Sequence, residues 1–331
     1  LANANYYRRR FGVDIDPEGE TIVTLGSKEG LANLAQAITR PGDVILAPNP
    51  SYPIHPYGFI IAGAVIRHVP VGPAENFFDN LAAAVRHCVP PPTAIVLNYP
   101  ANPTAEVVDL AFYERMVQFA KEKNLFLLSD LAYAEIYFDG KPPPSILQVP
   151  GARDVAVEFT SLSKTYSMPG WRMGFATGNR RLIAALTRIK SYLDYGAFTP
   201  IQVAACAALN GPQDIVNDVR ELYRNRRDVL IEGLDAAGWS IPSPQATMFA
   251  WAPLPQGFAH LGSLEFSKQL LDEAKVAVSP GIGFGEYGDG FVRIALVENE
   301  HRSRQAIRNI KRFLQDYKDM DIADDQAAAA K

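Results

Sequence analysis

The chain has 331 residues, which at roughly 150 residues per domain suggests two domains, and its 48% apolar and 21% charged residues suffice for sizeable cores. A formal net charge of −4 is too mild for a nucleic-acid surface, and no apolar run approaches the roughly 20 residues of a membrane-spanning helix. The two cysteines (Cys88, Cys206) and five histidines lack metal-ligand spacing, which argues against a metal site or a disulfide scaffold and for a reducing, cytoplasmic compartment.

LANANYYRRRFG (1–12) reads as the middle or end of a helix stopping at Gly12. Short apolar runs follow at TIVTLG (21–26), DVILAP (43–48), AVIRHV (64–69), AIVLNY (94–99), LFLLSD (125–130), DVAVEFT (154–160) and MGFATG (173–178). Most are apolar on both faces, as strands covered from two sides would be. Leu31, Leu34, Ala35 and Ile38 form a helical stripe after Gly30, and Leu110, Tyr113, Val117 and Ala120 repeat it across 109–123. Strand and helix alternation predicts an α/β fold with a mostly parallel sheet flanked by helices. DVAVEFT and MGFATG have no crossover helix between them, so one strand runs antiparallel. A long helix over 214–238 leads into a smaller α+β unit. Its elements are MFAWAPL (248–254), a helix around 263–274, VAVSP (276–280), FVRIAL (291–296) and a closing helix near 300–317. The expected division is a large domain over 1–212, a small one over 213–317, and a disordered acidic and alanine-rich tail over 318–331.

Open parallel sheets bind ligands beyond the carboxyl ends of their strands, and the polar residues cluster there. Gly26-Ser27-Lys28-Glu29-Gly30 opens a helix after the first strand, which suits an anion; taken alone, an ordinary capping serine is the commoner meaning of such a stretch. Asn102 follows AIVLNY, Asp130 ends LFLLSD, and Tyr133 comes three residues later. Asp130 at a buried strand end needs a positive or hydrogen-bonding partner. Ser161 and Lys164 follow DVAVEFT within SLSKTYSMPGWRMG (161–174), where a lone lysine is ordinarily a solvated charge. Arg293 inside FVRIAL wants an anion, structural or ligand. GIGFGEYG (281–288) lacks the GxGxxG spacing and reads as a flexible loop.

Taken in order, GSKEG, NPSYP, NYPANPT, SDLAYAEIYF, SLSKTYSMPGWRMGF and FVRIALVEN resemble the fold-type I, pyridoxal-phosphate-dependent aminotransferases of class I/II, over roughly residues 1–317. Longer stretches such as PSILQVPGARDVAVEFTSLSK and VSPGIGFGEYGD are most similar to bacterial alanine (glutamate–pyruvate) transaminases, then to LL-diaminopimelate and, further out, aspartate aminotransferases. The resemblance implies that Lys164 forms the internal aldimine with pyridoxal 5′-phosphate and then serves as general base and acid. It implies that Ser27, the Lys28 backbone, Ser161 and Arg172 hold the phosphate. Asp130 would face the pyridine nitrogen, Tyr52 would stack on the ring, and Asn102 and Tyr133 would reach the phenolic oxygen. Arg293 would clamp the substrate α-carboxylate, beside Tyr52 and Asn102.

The expected activity is ping-pong transamination between an L-amino acid, alanine first, and 2-oxoglutarate, by a homodimer. Two departures stand out. Ala105 replaces the glycine of the common NPTG motif. The family's N-terminal segment, which supplies part of the small domain, a lid and a tyrosine to the neighbour's phosphate, has no counterpart before Leu1. Alternatives are an LL-diaminopimelate or aspartate aminotransferase, a β-elimination lyase, a non-catalytic module, or a fragment that only binds the cofactor.

Overall fold

The computed structural model describes residues 1–71 and 74–329. The chain divides into two compact units, Leu1–Arg220 with Gln245–Thr247, and Glu221–Pro244 with Met248–Lys331. The division falls inside one continuous helix, Asp214–Ala236, whereas the sequence pattern put it at 212/213, ahead of that helix.

In the first unit, strands β1 (Thr21–Thr24), β2 (Val44–Asn49), β3 (Val65–Pro70), β4 (Pro92–Asn98), β5 (Phe126–Asp130), β6 (Ala156–Ser161) and β7 (Gly174–Gly178) form one sheet in the order β1-β7-β6-β5-β4-β2-β3. β6, β5, β4, β2 and β3 run parallel, and β7 is antiparallel to both neighbours, as the missing crossover helix predicts. The inner strands are buried along nearly all their length, Thr93 of β4 being an exposed exception, which explains their apolar runs; β3 lies at the edge and exposes Val65, Arg67 and His68. The helices are α1 (Ala2–Phe11), α2 (Ser27–Ile38), α3 (Ile54–Ile61), α4 (Ala74–Arg86), α5 (Leu110–Lys123), the short α6 (Leu162–Thr165), α7 (Arg180–Leu193), α8 (Thr199–Asn210) and the start of α9 (Asp214–Ala236). Gly12 ends α1 in the left-handed region at φ 68°, and Asp109 caps α5 by accepting from the Phe112 N–H at 2.9 Å. Two apolar clusters pack around the sheet. One gathers Leu31, Leu34, Phe59 and Leu186, the other Tyr7, Leu81, Tyr113 and Met116.

The second unit carries an antiparallel sheet of β8 (Phe249–Pro253), β10 (Phe291–Ala295) and β9 (Ser279–Pro280), with β10 central. With α10 (Gly262–Ala274) and α11 (Glu300–Ala329) it encloses Leu234, Trp239, Phe266 and Val292. α11 carries the backbone of 318–329 as helix where the sequence pattern suggested fraying, in keeping with the high helix propensity of alanine; Ala330 and Lys331 lie outside the described residues. GIGFGEYG, expected as a flexible loop, forms two 3₁₀ turns. Gly281 and Gly288 approach so closely that a Cβ on either would strike the other's carbonyl. Ser263 on α10 pins the turns by donating to Asp289 Oδ1 at 2.7 Å and accepting from the Ile282 N–H at 3.0 Å. Among the described residues, no helix is long and apolar enough to cross a membrane.

A fully buried acid, Glu158, stands inside the first unit. Glu158 on β6 is fully buried and accepts from Tyr7 Oη (2.9 Å), Ser145 Oγ (2.6 Å), the Ile146 N–H (3.1 Å) and Ser129 Oγ (3.3 Å). Burial pushes its carboxyl up to about 7, against those donors, which pull it down. A carboxyl raised in the folded state favours folding while protonated and loses that contribution as pH climbs from its unfolded value near 4.5 to about 7. Relative to Glu158→Gln, the native protein should therefore lose about 3 kcal/mol of stability over that interval. Thermal unfolding of both proteins from pH 4.5 to 7.5 checks this, and parallel Tm curves would refute it.

Candidate active site

Three adjacent parallel strands deliver the candidate residues. The register pairs Asn98 with Asp130 and Asp130 with Phe159, so the ends of β4, β5 and β6 reach one edge of the sheet together. Asn98 binds that edge. Its amide donates to the Asp130 carbonyl at 2.9 Å, and its Oδ1 accepts from the Asn102 N–H at 2.8 Å, which seats the buried Asn102.

Asp130 is 5% exposed, so its carboxylate needs a partner. The partner is His55, wholly buried in the first turn of α3, with Nε2 3.0 Å from Asp130 Oδ2. Asp130 Oδ1 also accepts from the Ala132 N–H at 3.3 Å. The His55 ring stands edge-on to Tyr52, centroids 5.9 Å apart, and Lys28 Nζ lies 5.6 Å from the Tyr52 ring centre. Tyr133, three residues past Asp130, is buried with its ring centre 6.0 Å from Lys164 Nζ. Lys164 itself is half-buried on α6, a single turn capped by Ser161, whose Oγ accepts from the Ser163 N–H at 3.1 Å.

At the other end of this set, Thr24 and Ser161 both pair with Gly174, which aligns the ends of β1, β7 and β6. A Cβ on Gly174 would stand 2.8 Å from Gly26 C, Ser27 N and Thr160 O, so only glycine lets these segments meet. α2 starts at Ser27 from Gly26 at φ 88°, with no side chain capping it. Its first N–H groups therefore lack intrahelical partners and suit an anion. Arg172 lies across Gly26, where a Cβ would collide with the guanidinium. Its Nη1 donates to the Pro169 carbonyl at 2.8 Å and its Nη2 to the Leu25 carbonyl at 3.2 Å. The donor set fits pyridoxal phosphate: an uncapped helix end beside a fixed guanidinium for the phosphate, a buried carboxylate for a ring cation, and an amine for the aldehyde.

Nine of the ten predicted residues, Ser27, Lys28, Tyr52, Asn102, Asp130, Tyr133, Ser161, Lys164 and Arg172, lie in the first unit. Arg293 belongs to the second, on β10, with Nη2 3.4 Å from Ser279 Oγ and its guanidinium 4.1 Å from the Phe249 ring centre and 4.6 Å from that of Phe284. The sequence pattern missed His55 and Asn98. Neither gives a local signal: His55 sits among apolar residues at the start of α3 and reads as core, and Asn98 ends an apolar strand and is revealed only by its pairing with β5.

Residues 2–310 match the family described as aminotransferase class I and II. The chain is 66% identical over 313 residues to AatC of Rhizobium meliloti (strain 1021), covering 95% of this chain and 77% of that relative. It is 57% identical over 310 residues to the glutamate-pyruvate aminotransferase AlaC of Escherichia coli (strain K12), covering 94% of this chain and 75% of AlaC. Among solved structures, substrate-bound BacF from Bacillus subtilis superposes with a TM-score of 0.89 at 36% identity, over 94% of this chain and 79% of BacF.

Proposed function

The chain belongs to the class I and II aminotransferases, enzymes that depend on pyridoxal phosphate, and from that premise we propose that it transfers the amino group of L-alanine to 2-oxoglutarate. The observation that carries the assignment of roles is the half-buried Lys164 beside Tyr133, three residues past Asp130, whose buried carboxylate ends β5 and pairs with His55 of α3. Identity to AlaC supports the choice of donor.

In this reading Lys164 would hold the cofactor through its amine and, when free, would serve as the general base and acid at the substrate Cα. The cofactor, when bound, supplies the electron sink that makes that proton acidic. Asp130, oriented by His55, would set a negative charge against the pyridine nitrogen. Asn102 and Tyr133 would donate to the phenolic oxygen, Tyr52 would cover one ring face, and Ser27, the Lys28 N–H, Ser161 and Arg172 would receive the phosphate. Arg293 grips the substrate carboxylate; its guanidinium already lies over two aromatic rings, where a carboxylate would bind with little competition from water. The two free cysteines fit the cytoplasmic location expected for such an enzyme.

With alanine and 2-oxoglutarate varied together, double-reciprocal plots should give parallel lines, and the cofactor's visible absorbance should bleach on adding alanine alone. Faster bleaching by LL-diaminopimelate or aspartate would reassign the donor. Ammonia released without any 2-oxo acid would make the protein a lyase instead.

A homodimer belongs to the same reading. Tyr192 (72% exposed), Tyr195 (106%), Phe198 (71%) and Val203 (64%) put four large apolar side chains in solvent within twelve residues of the α7–α8 region. Such a concentration is an interface signature, and a second copy of the chain is the partner that two-fold symmetry provides. The Tyr195→Glu/Phe198→Glu variant should elute as a monomer by light scattering at concentrations where the parent protein is dimeric; a parent protein that is itself monomeric would refute the dimer.

A further inference from the structure

Glu29 puts a carboxylate in the first turn of α2, two residues from Ser27, where the reading above places the cofactor phosphate. A helix amino terminus tolerates a carboxylate well. A second anion beside it is another matter, because two like charges at a partly buried site repel strongly. The geometry shows what Glu29 does there. Its Oε2 accepts from the Leu25 N–H at 2.7 Å, while Arg172 Nη2 donates to the Leu25 carbonyl at 3.2 Å. Leu25, which leads into Gly26 and Ser27, is thus held at both its amide and its carbonyl.

The other oxygen of Glu29 meets a buried cation. Lys190 on α7, with its side chain 5% exposed, donates to Glu29 Oε1 at 2.8 Å and to Asp194 Oδ2 at 2.8 Å. Asn33 also donates to Oε1. Burial pulls the Lys190 ammonium down, but Asp194 and Glu29 together carry it above its ordinary value, so it stays charged at neutral pH. Asp194 in turn accepts from the Gly196 N–H at 2.8 Å, so its carboxylate is held in place on the far side of the ammonium.

We propose that Lys190 is a positioning residue of the phosphate cradle: its ammonium, shared with Asp194, offsets the charge of Glu29, so that this carboxylate can fix the Leu25–Ser27 turn with less repulsion of the cofactor's phosphate. The inference rests on the proposed phosphate site. It implies that Lys190 matters to the phosphate and not to the rest of the cofactor.

The test compares dissociation constants of pyridoxal phosphate and of pyridoxal, which lacks the phosphate, on the apoprotein by absorbance titration. Arg172→Ala should lower the preference for the phosphorylated form, which locates the phosphate. Lys190→Met should weaken pyridoxal phosphate by on the order of ten-fold, as a charge contact at a partly buried site would, and leave pyridoxal within about three-fold. Glu29→Gln/Lys190→Met should recover most of that loss, because the carboxylate in the first turn of α2 is gone, although Asp194 still lacks its ammonium partner. An unchanged preference in Lys190→Met, equal weakening of both ligands, or no recovery in the double variant would each overturn the inference. If Lys190→Met does not fold, Glu29→Gln decides: it should retain at least the native preference, and a ten-fold drop would overturn the proposal. A native protein that binds neither ligand would sink the assigned function, and an Arg172→Ala variant with unaltered preference would sink the phosphate site; in either case this inference falls with it.

Discussion

Lys164→Ala is expected to lower kcat/KM for transamination by at least about 10⁴-fold, the upper end of what one general acid–base group contributes, because this side chain has two tasks. It holds the cofactor aldehyde, and it shuttles the proton. Its surroundings suit both. α6 is a single turn fixed by the Ser161 cap, so the amine starts from a rigid base, and the Tyr133 ring 6.0 Å away limits where it can swing. The variant should fold normally, since a half-buried lysine contributes little to the core. Reduction of the native protein with borohydride followed by peptide mass spectrometry should place the cofactor on Lys164. In the variant no peptide should carry it, although non-covalent binding persists through Arg172 and α2. A cofactor adduct on another lysine would remove the basis of the assigned chemistry.

Asp130→Asn should be the second most damaging change, with kcat reduced about 10²- to 10⁴-fold. The estimate follows from the 3–5 kcal/mol typically lost when one member of a buried charge pair is removed, with each 1.36 kcal/mol worth a factor of ten in rate. The carboxylate is 5% exposed and already held by His55 at 3.0 Å and the Ala132 N–H at 3.3 Å, so its charge is aimed before the cofactor arrives. Asparagine keeps the shape and loses the charge. Attachment to Lys164 should survive while the catalytic step slows, which separates this residue from Lys164. A cofactor analogue methylated on the ring nitrogen carries a positive charge that needs no carboxylate, and it should restore part of the rate to Asp130→Asn. A variant with native kcat, or one the analogue does not help, would mean that Asp130 serves only to seat His55.

The two changes also show why some of the site could be read directly and some could not. Lys164, Asp130, Arg172 and Arg293 sit in local motifs, and each announces itself by being a charge among apolar or turn-forming neighbours. His55 and Asn98 do not. A histidine on an apolar helix and an asparagine ending an apolar strand look like ordinary core and turn residues until the strands are paired. Glu29 was legible as part of GSKEG, but nothing near it in sequence indicates that its counter-ion lies 161 residues away on α7. The expected looseness of GIGFGEYG shows the reverse error. Its glycines serve close packing of two turns on α10, which composition alone cannot distinguish from flexibility.

The sequence by itself determined the α/β layering, the antiparallel β7 and the identity of the charged groups at the strand ends. These follow from local rules: apolar runs that must be covered on both faces, a connection too short for a crossover, and residue types that the chemistry cannot replace. Only the tertiary structure decided the sheet order β1-β7-β6-β5-β4-β2-β3, the pairing of His55 with Asp130 across 75 residues, and the neutralisation of Glu29 by Lys190. Those depend on which strands pair and which polar side chains then come within hydrogen-bonding distance, and no local pattern carries that information.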